Sequence, residues 1–164
     1  MDLYCFFYFR AIELLKDGGQ LVFITPNKWF RAGYGEKLRA EIARTCRVRS
    51  ITDFGDLPVF ESATAYPMIF IAQKGNDARI VTRITEPKTL AAPYPDVRAV
   101  VESVGFALPP DAIAGSVWNL RDSDMGSHVQ ALWSNCVPLS EYIPLTVYSG
   151  IKSGYNAAFL LDVR

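Results

Sequence analysis

Histidine is nearly missing from this chain: His128 is the only one in 164 residues. Cysteine is scarce too, and Cys5, Cys46 and Cys136 are far apart with no C-x-x-C spacing. These counts exclude a zinc cluster and a disulfide frame, so the cysteines read as free buried thiols of a cytoplasmic protein and no metal is expected. Neither sign of charge is in excess, since Lys+Arg and Asp+Glu both number 17. A polyanion partner would therefore have to be met by a local patch. Long apolar runs are lacking as well. Arg10, Glu13 and Lys16 interrupt the aromatic start far short of the ~20 residues of a membrane span, and no basic segment precedes it. No membrane association is expected.

Several signatures are present only in part. Gly33-x-Gly35 lacks the third glycine and the preceding strand of a phosphate loop, and reads as a turn into a helix. Asp53-Phe54-Gly55 matches the magnesium-holding tripeptide of kinases. Without a glycine-rich loop or His-Arg-Asp it reads as a strand end followed by a turn. His128 sits in a polar stretch with no neighbouring nucleophile, which suits a structural histidine.

What is present is a core-forming composition, half apolar and 13% aromatic. A chain of this length buries roughly two-thirds of its unfolded surface. Leu3, Phe7, Ala11 and Leu14, widened by Leu15, predict a helix over 3–16, ended by Gly18. A strand over 20–25 follows. A helix over about 34–45 should bury Leu38 and Ile42 and solvate Glu36, Lys37, Arg39, Glu41 and Arg44. Strands are expected at 48–54, 68–73 and 79–84, with a turn at Gly75-Asn76. The loop after Phe54 is too short for a right-handed crossover, so 68–73 should run antiparallel to 20–25 and 48–54 in one sheet. Prolines punctuate 87–110 around a short helix near 96–103. A helix over 123–134, with Met125, Val129, Leu132 and Trp133 on one side, precedes short strands near 143–148 and 157–161.

The most telling stretch is Gln20 to Phe30, where an apolar strand stops at Thr25-Pro26-Asn27 and is followed by Lys28, Trp29 and Phe30. An open α/β sheet delivers binding loops in this way, at the carboxyl ends of its strands. Phe60 lies in another such loop, bounded by Gly55 and Pro58. A large aromatic there either plugs the edge of the core or forms a platform for a nucleobase.

Taken in order, these segments resemble one family. They are Asp2-Leu3-Tyr4-Cys5-Phe6-Phe7, Leu14-Leu15-Lys16-Asp17-Gly18-Gly19, Phe23-Ile24-Thr25-Pro26-Asn27-Lys28-Trp29, Asp53-Phe54-Gly55-Asp56-Leu57-Pro58-Val59-Phe60 and the strand 68–73. The series is similar to the later half of the catalytic domain of gamma-arrangement N6-adenine DNA methyltransferases, the Eco57I-like restriction-modification enzymes and their TaqI-methyltransferase relatives. Val137-Pro138-Leu139-Ser140-Glu141-Tyr142 with Gly150 to Phe159 resembles the start of their target-recognition domain.

The resemblance implies an α/β fold: a partial Rossmann-like methyltransferase sheet of later strands with an antiparallel last strand, then an irregular α+β segment. It divides the chain into 1–85, the second half of the catalytic domain; 86–136, a connector; and 137–164, the start of target recognition. It implies S-adenosylmethionine as cofactor, with Leu3 and Phe7 on one wall of its pocket. It makes Phe60 the aromatic that stacks on a flipped adenine, moving that residue from plug to platform. Asn27, Lys28, Arg31 and Tyr34, and further along Lys152, Ser153, Tyr155 and Asn156, become contacts to double-stranded DNA. The glycine-rich cofactor loop and the Asn-Pro-Pro-Tyr motif of the family are absent from this sequence, and Thr25-Pro26-Asn27 does not replace the latter. The chain alone is thus expected to be inactive and to bind the cofactor weakly or not at all, with both ends falling inside a larger protein of a type II, IIG-like or related phage-defence system. Strand 20–25, deprived of a neighbour, is expected to drive self-association. A non-catalytic DNA-specificity or interaction module built on an α/β layer is the alternative.

Overall fold

The computed structural model describes residues 2–60, 66–75, 77, 79–90, 97–108, 111–122, 128, 131–132, 134–137 and 139–143. The chain divides into two units, Met1–Ser127 and His128–Arg164.

The first unit opens with helix α1, Leu3–Leu14. Its buried side is Cys5, Tyr8 and Ile12, whereas Leu3, Phe6, Phe7 and Leu14 are exposed. Of the expected stripe, Leu3, Phe7 and Leu14 therefore face out, while Ala11 and Leu15 pack partly against the core. The helix is apolar on most sides, so several stripes compete, and the one beginning at Cys5 wins because Tyr8 reaches the core aromatics. Tyr8 stands edge-on to Phe23 and Phe70, with centroids at 4.9 and 5.6 Å, and its hydroxyl meets Thr25 Oγ1 at 2.8 Å. Gly18, at φ 77°, turns the chain after α1, and the Gly18 N–H donates to the Lys74 carbonyl at 3.0 Å.

Strands β1 (Gln20–Pro26), β2 (Cys46–Asp53) and β3 (Pro67–Lys74) form the body of the sheet. β3 lies between the other two and runs antiparallel to both, Phe70 facing Phe23 on one side and Ile51 on the other. This is the arrangement expected from the short loop after Phe54. Strand β4, Arg83–Thr85, pairs parallel with β2, and β5, Phe106–Ala107, pairs antiparallel with β4. β4 is shorter than the expected 79–84 because Asp77 draws its chain into a turn. Its carboxylate accepts from the Arg79 N–H and guanidinium at 2.9–3.0 Å, which holds the Asp77 carboxyl down to about 2. The sheet order is β1-β3-β2-β4-β5, which leaves β1 at an edge with Val22 and Ile24 exposed.

Helix α2, Glu36–Thr45, buries Leu38 and Ile42 as its 3.6-residue spacing requires. Arg39 departs from expectation. Placed on the solvated side by the sequence pattern, it is buried, and its guanidinium donates to the carbonyls of Trp29, Ala32 (3.1 Å) and Ser116 (2.6 Å). Three carbonyl acceptors satisfy donors that would otherwise be costly to bury. They also tie α2 to the two 3₁₀ turns before it, Asn27–Phe30 and Gly33–Gly35. Ser116 belongs to a hairpin of β6 (Ile113–Ala114) and β7 (Val117–Trp118), turned at Gly115 with φ 57°. Trp118 reaches the buried aromatics, with centroids 5.5 Å from Trp29 and 5.9 Å from Phe30. Helix α3, Val97–Ser103, lies where the sequence placed a short helix.

In the second unit, helix α4 spans Leu139–Tyr142, and His128, Ala131, Leu132, Ser134 and Asn135 are helical. Met125, Val129 and Trp133 lie outside the described residues. So do the expected strand at 157–161 and all of the one at 143–148 except Ile143, which is a bend. No helix among the described residues is long and apolar enough to cross a membrane.

Candidate functional site at the carboxyl ends of the strands

β1 and β2 both oppose β3, and β4 parallels β2, so all three point the same way. Their carboxyl ends bring Asn27, Asp53 and Glu86 to one rim, where a cleft of about 940 Å³ opens. Ligands of α/β sheets collect at such ends.

The rim is built on Asn27. Its backbone N–H donates to the Tyr66 carbonyl at 2.9 Å, and its side-chain amide donates to the Asp53 carboxylate, 3.0 Å from each oxygen. The same carboxylate caps the following turn by accepting the Gly55 N–H at 2.9 Å, and Gly55 takes a left-handed φ of 56°. Asp53-Phe54-Gly55 is thus a strand end and turn. The loop from Phe54 to Tyr66 is closed at its base by Asn27 and by the Phe54 N–H on the Pro67 carbonyl, at 3.0 Å. Phe60 rides on this loop and is 45% exposed, so it does not plug the core.

Four residues singled out from the sequence, Asn27, Lys28, Arg31 and Tyr34, meet in the cleft wall. Lys28 and Arg31 are exposed. The Tyr34 hydroxyl shares a hydrogen bond with Tyr4 of α1 at 2.7 Å, and burial pushes both phenols up from their usual range. Leu3 and Phe7 lie away from these four, on the exposed side of α1 at 72% and 59% exposure. One turn apart, they form an open apolar wall. Lys152, Ser153, Tyr155 and Asn156 lie outside the described residues.

The sequence reading missed part of the lining: Trp118, Asn119 and Arg121 also line the cleft. Their signal was an aromatic, an amide and a cation just after the turn residue Gly115, in a stretch read as a connector. Gly33–Gly35 is a turn into α2, as the sequence suggested, but at Gly35 the need for glycine has another cause. The Gly35 φ of −82° is ordinary, so no turn requires glycine there. A Cβ would instead overlap the Trp29 carbonyl oxygen and stand 2.9 Å from the Arg39 guanidinium.

Residues 1–60 match the model of the family described as Eco57I restriction-modification methylase. The type II methyltransferase M.PaeR7I of Pseudomonas aeruginosa is 28% identical over 98% of this chain and 29% of its own length. The type II methyltransferase M.XhoI of Xanthomonas vasicola is 26% identical over 99% of this chain and 32% of its own. Among solved structures, the M protein of the type I restriction enzyme EcoKI superposes with a TM-score of 0.48 at 16% identity, covering 58% of this chain and 22% of that one. The chain spans about a third of the length of the two type II methyltransferases it matches. The chain is thus similar in residues 1–60 to the Eco57I restriction-modification methylase family, and along nearly all its length to a part of two type II methyltransferases.

Proposed function

We propose that this chain is part of a site-specific DNA methyltransferase that places a methyl group on adenine N6 of double-stranded DNA within a restriction-modification system. The observation that carries this reading is the rim itself. Asn27, Lys28, Arg31 and Tyr34 gather at the carboxyl ends of the strands, beside a pinned loop that holds Phe60 out to solvent.

The adenine amino group is paired and stacked inside a duplex, so the base must leave the helix before it reacts. Phe60 offers its face as one half of a sandwich for that base, and the Asn27–Asp53 bond fixes the root of its loop. Lys28 and Arg31 meet backbone phosphates, while Asn27 and Tyr34 add hydrogen-bonding groups. Lys152, Ser153, Tyr155 and Asn156 extend the DNA contact. The open apolar side of α1 suits an adenine ring, so Leu3 and Phe7 supply one wall for S-adenosylmethionine. When bound, that cofactor supplies an electrophilic methyl group. Orientation and electrostatics then carry the rate, with no covalent intermediate on the protein.

Methyl transfer from radiolabelled S-adenosylmethionine to adenine-containing duplex tests the reading. The enzyme that carries this chain should label adenine N6. The chain alone should label nothing, because it lacks the glycine-rich loop and Asn-Pro-Pro-Tyr. Transfer to cytosine, or turnover by the isolated chain, would overturn it.

A further inference from the structure

Three cations line the cleft without a side-chain partner among the described residues: Lys28, Arg31 and Arg121, all exposed. The acids on the same walls are occupied. Asp53 accepts from Asn27 and Gly55, Glu86 faces Lys88 at 4.0 Å, and Asp122 has an interaction of its own. The lining contains as many acids as bases, yet only basic groups remain uncommitted. The three come from two chain segments: Lys28 and Arg31 from one 3₁₀ turn and its C-cap, and Arg121 from the exit of the β6–β7 hairpin. That hairpin is firmly seated. Trp118 packs on Trp29 and Phe30, the Ser116 carbonyl takes the buried Arg39 guanidinium at 2.6 Å, and the Asn119 N–H donates to the Ala112 carbonyl at 2.8 Å. Arg121 follows two residues later, so a structured element presents its charge to the cleft.

We propose that the Trp118–Arg121 segment is a nucleic-acid-contacting element and that Arg121, lining the same cleft as Lys28 and Arg31, holds a phosphate of the DNA backbone. Cations from two segments far apart in sequence, lining a cleft of about 940 Å³, suit a ligand with repeated negative charges better than one small anion. In a chain of zero net charge, they form the local patch that binding a polyanion requires. The inference rests on the DNA-methyltransferase reading and adds to it a residue from the presumed connector.

The test is the salt dependence of binding to a mixed-sequence duplex, measured on the full-length enzyme that carries this chain. Each phosphate contact contributes about 0.9 to the slope of log affinity against log salt, or about 3.5-fold in affinity between about 50 and about 200 mM. Arg121→Ala should lower the slope by that one contact, and Arg121→Lys should keep it, while S-adenosylmethionine affinity stays unchanged in both. Lys28→Ala and Arg31→Ala each lower the slope likewise. A wild-type slope in Arg121→Ala alone would overturn this inference and leave the DNA cleft standing. Wild-type slopes in all three alanine variants would remove both. Loss of slope in Arg121→Lys would mean that packing, not charge, is at work. Displacement of the duplex by inorganic phosphate at constant ionic strength, in an Arg121-dependent way, would show a small-anion site instead.

Discussion

Gly35 lies against the Trp29 carbonyl so closely that a Cβ on it would overlap that oxygen, and Arg39 donates to the same carbonyl. The two residues therefore set the spacing between the rim of the cleft and the start of α2. Gly35→Ala should push Trp29 off its seat and destabilise the fold by about 1–3 kcal/mol, as overpacking does. Gly33→Ala is the control, because nothing lies within 4 Å of a Cβ there. Urea denaturation should show a large loss of stability for the first and little change for the second. Equal losses would show that backbone freedom, not contact, selects glycine in this turn.

Phe60 is the most exposed aromatic on the rim loop, and its removal costs the core little. In the full-length enzyme, Phe60→Ala should weaken retention of a flipped base by about 1–3 kcal/mol, a stacking contribution, with cofactor affinity unchanged. Fluorescence of 2-aminopurine at the target position reports the flipped base directly. Loss of cofactor binding with base flipping intact would assign Phe60 to packing.

Burial drives the Tyr8 phenol well above its ordinary value, against the opposing effect of its bond to Thr25. In the unfolded chain the same group ionises near about 10. Stability from this site is therefore complete below about pH 10 and falls as pH rises beyond it, because deprotonation favours the unfolded state. Denaturation midpoints measured across alkaline pH should decline for the native chain. Tyr8→Phe should make that decline shallower, the remainder coming from Tyr4 and Tyr34, whose phenols burial also raises.

Strand β1 presents Val22 and Ile24, at 58% and 50% exposure, on an edge without a partner among the described residues. Such an edge is a template for another strand. The isolated chain should sediment as a dimer or larger species at micromolar concentration, and a lysine at Val22 should shift it toward monomer. A clean monomer with a protected 20–25 backbone in hydrogen exchange would remove self-association from the proposal.

The sheet was legible because the apolar runs at 20–26 and 67–74 and the alternating, β-branched stretch at 46–53 lie between turn residues, and the loop between the last two is too short for a crossover. The inward side of α1 was not legible, since a helix apolar on most sides has no unique stripe. Nor was the burial of Arg39, whose acceptors lie as far away as Ser116, because nothing local in the sequence encodes a carbonyl arriving from 77 residues on. The same distance hid Arg121. Half of the rim was readable from Thr25-Pro26-Asn27-Lys28, and the other half arrives through tertiary packing of a hairpin only two residues wide on each side.

The placing of β3 between β1 and β2 has a consequence for synthesis. Pro26 pairs with Pro67 and Gln20 with Gln73, so β1 has no strand to bond until the last of these three leaves the ribosome. Until then a nascent chain carries two strands with open hydrogen-bonding edges, separated by a helix that cannot yet dock on a completed sheet. Closure must wait for a distant segment, which makes folding slow and exposes the intermediate to aggregation. A chain stalled before Lys74 should thus be a client of chaperones.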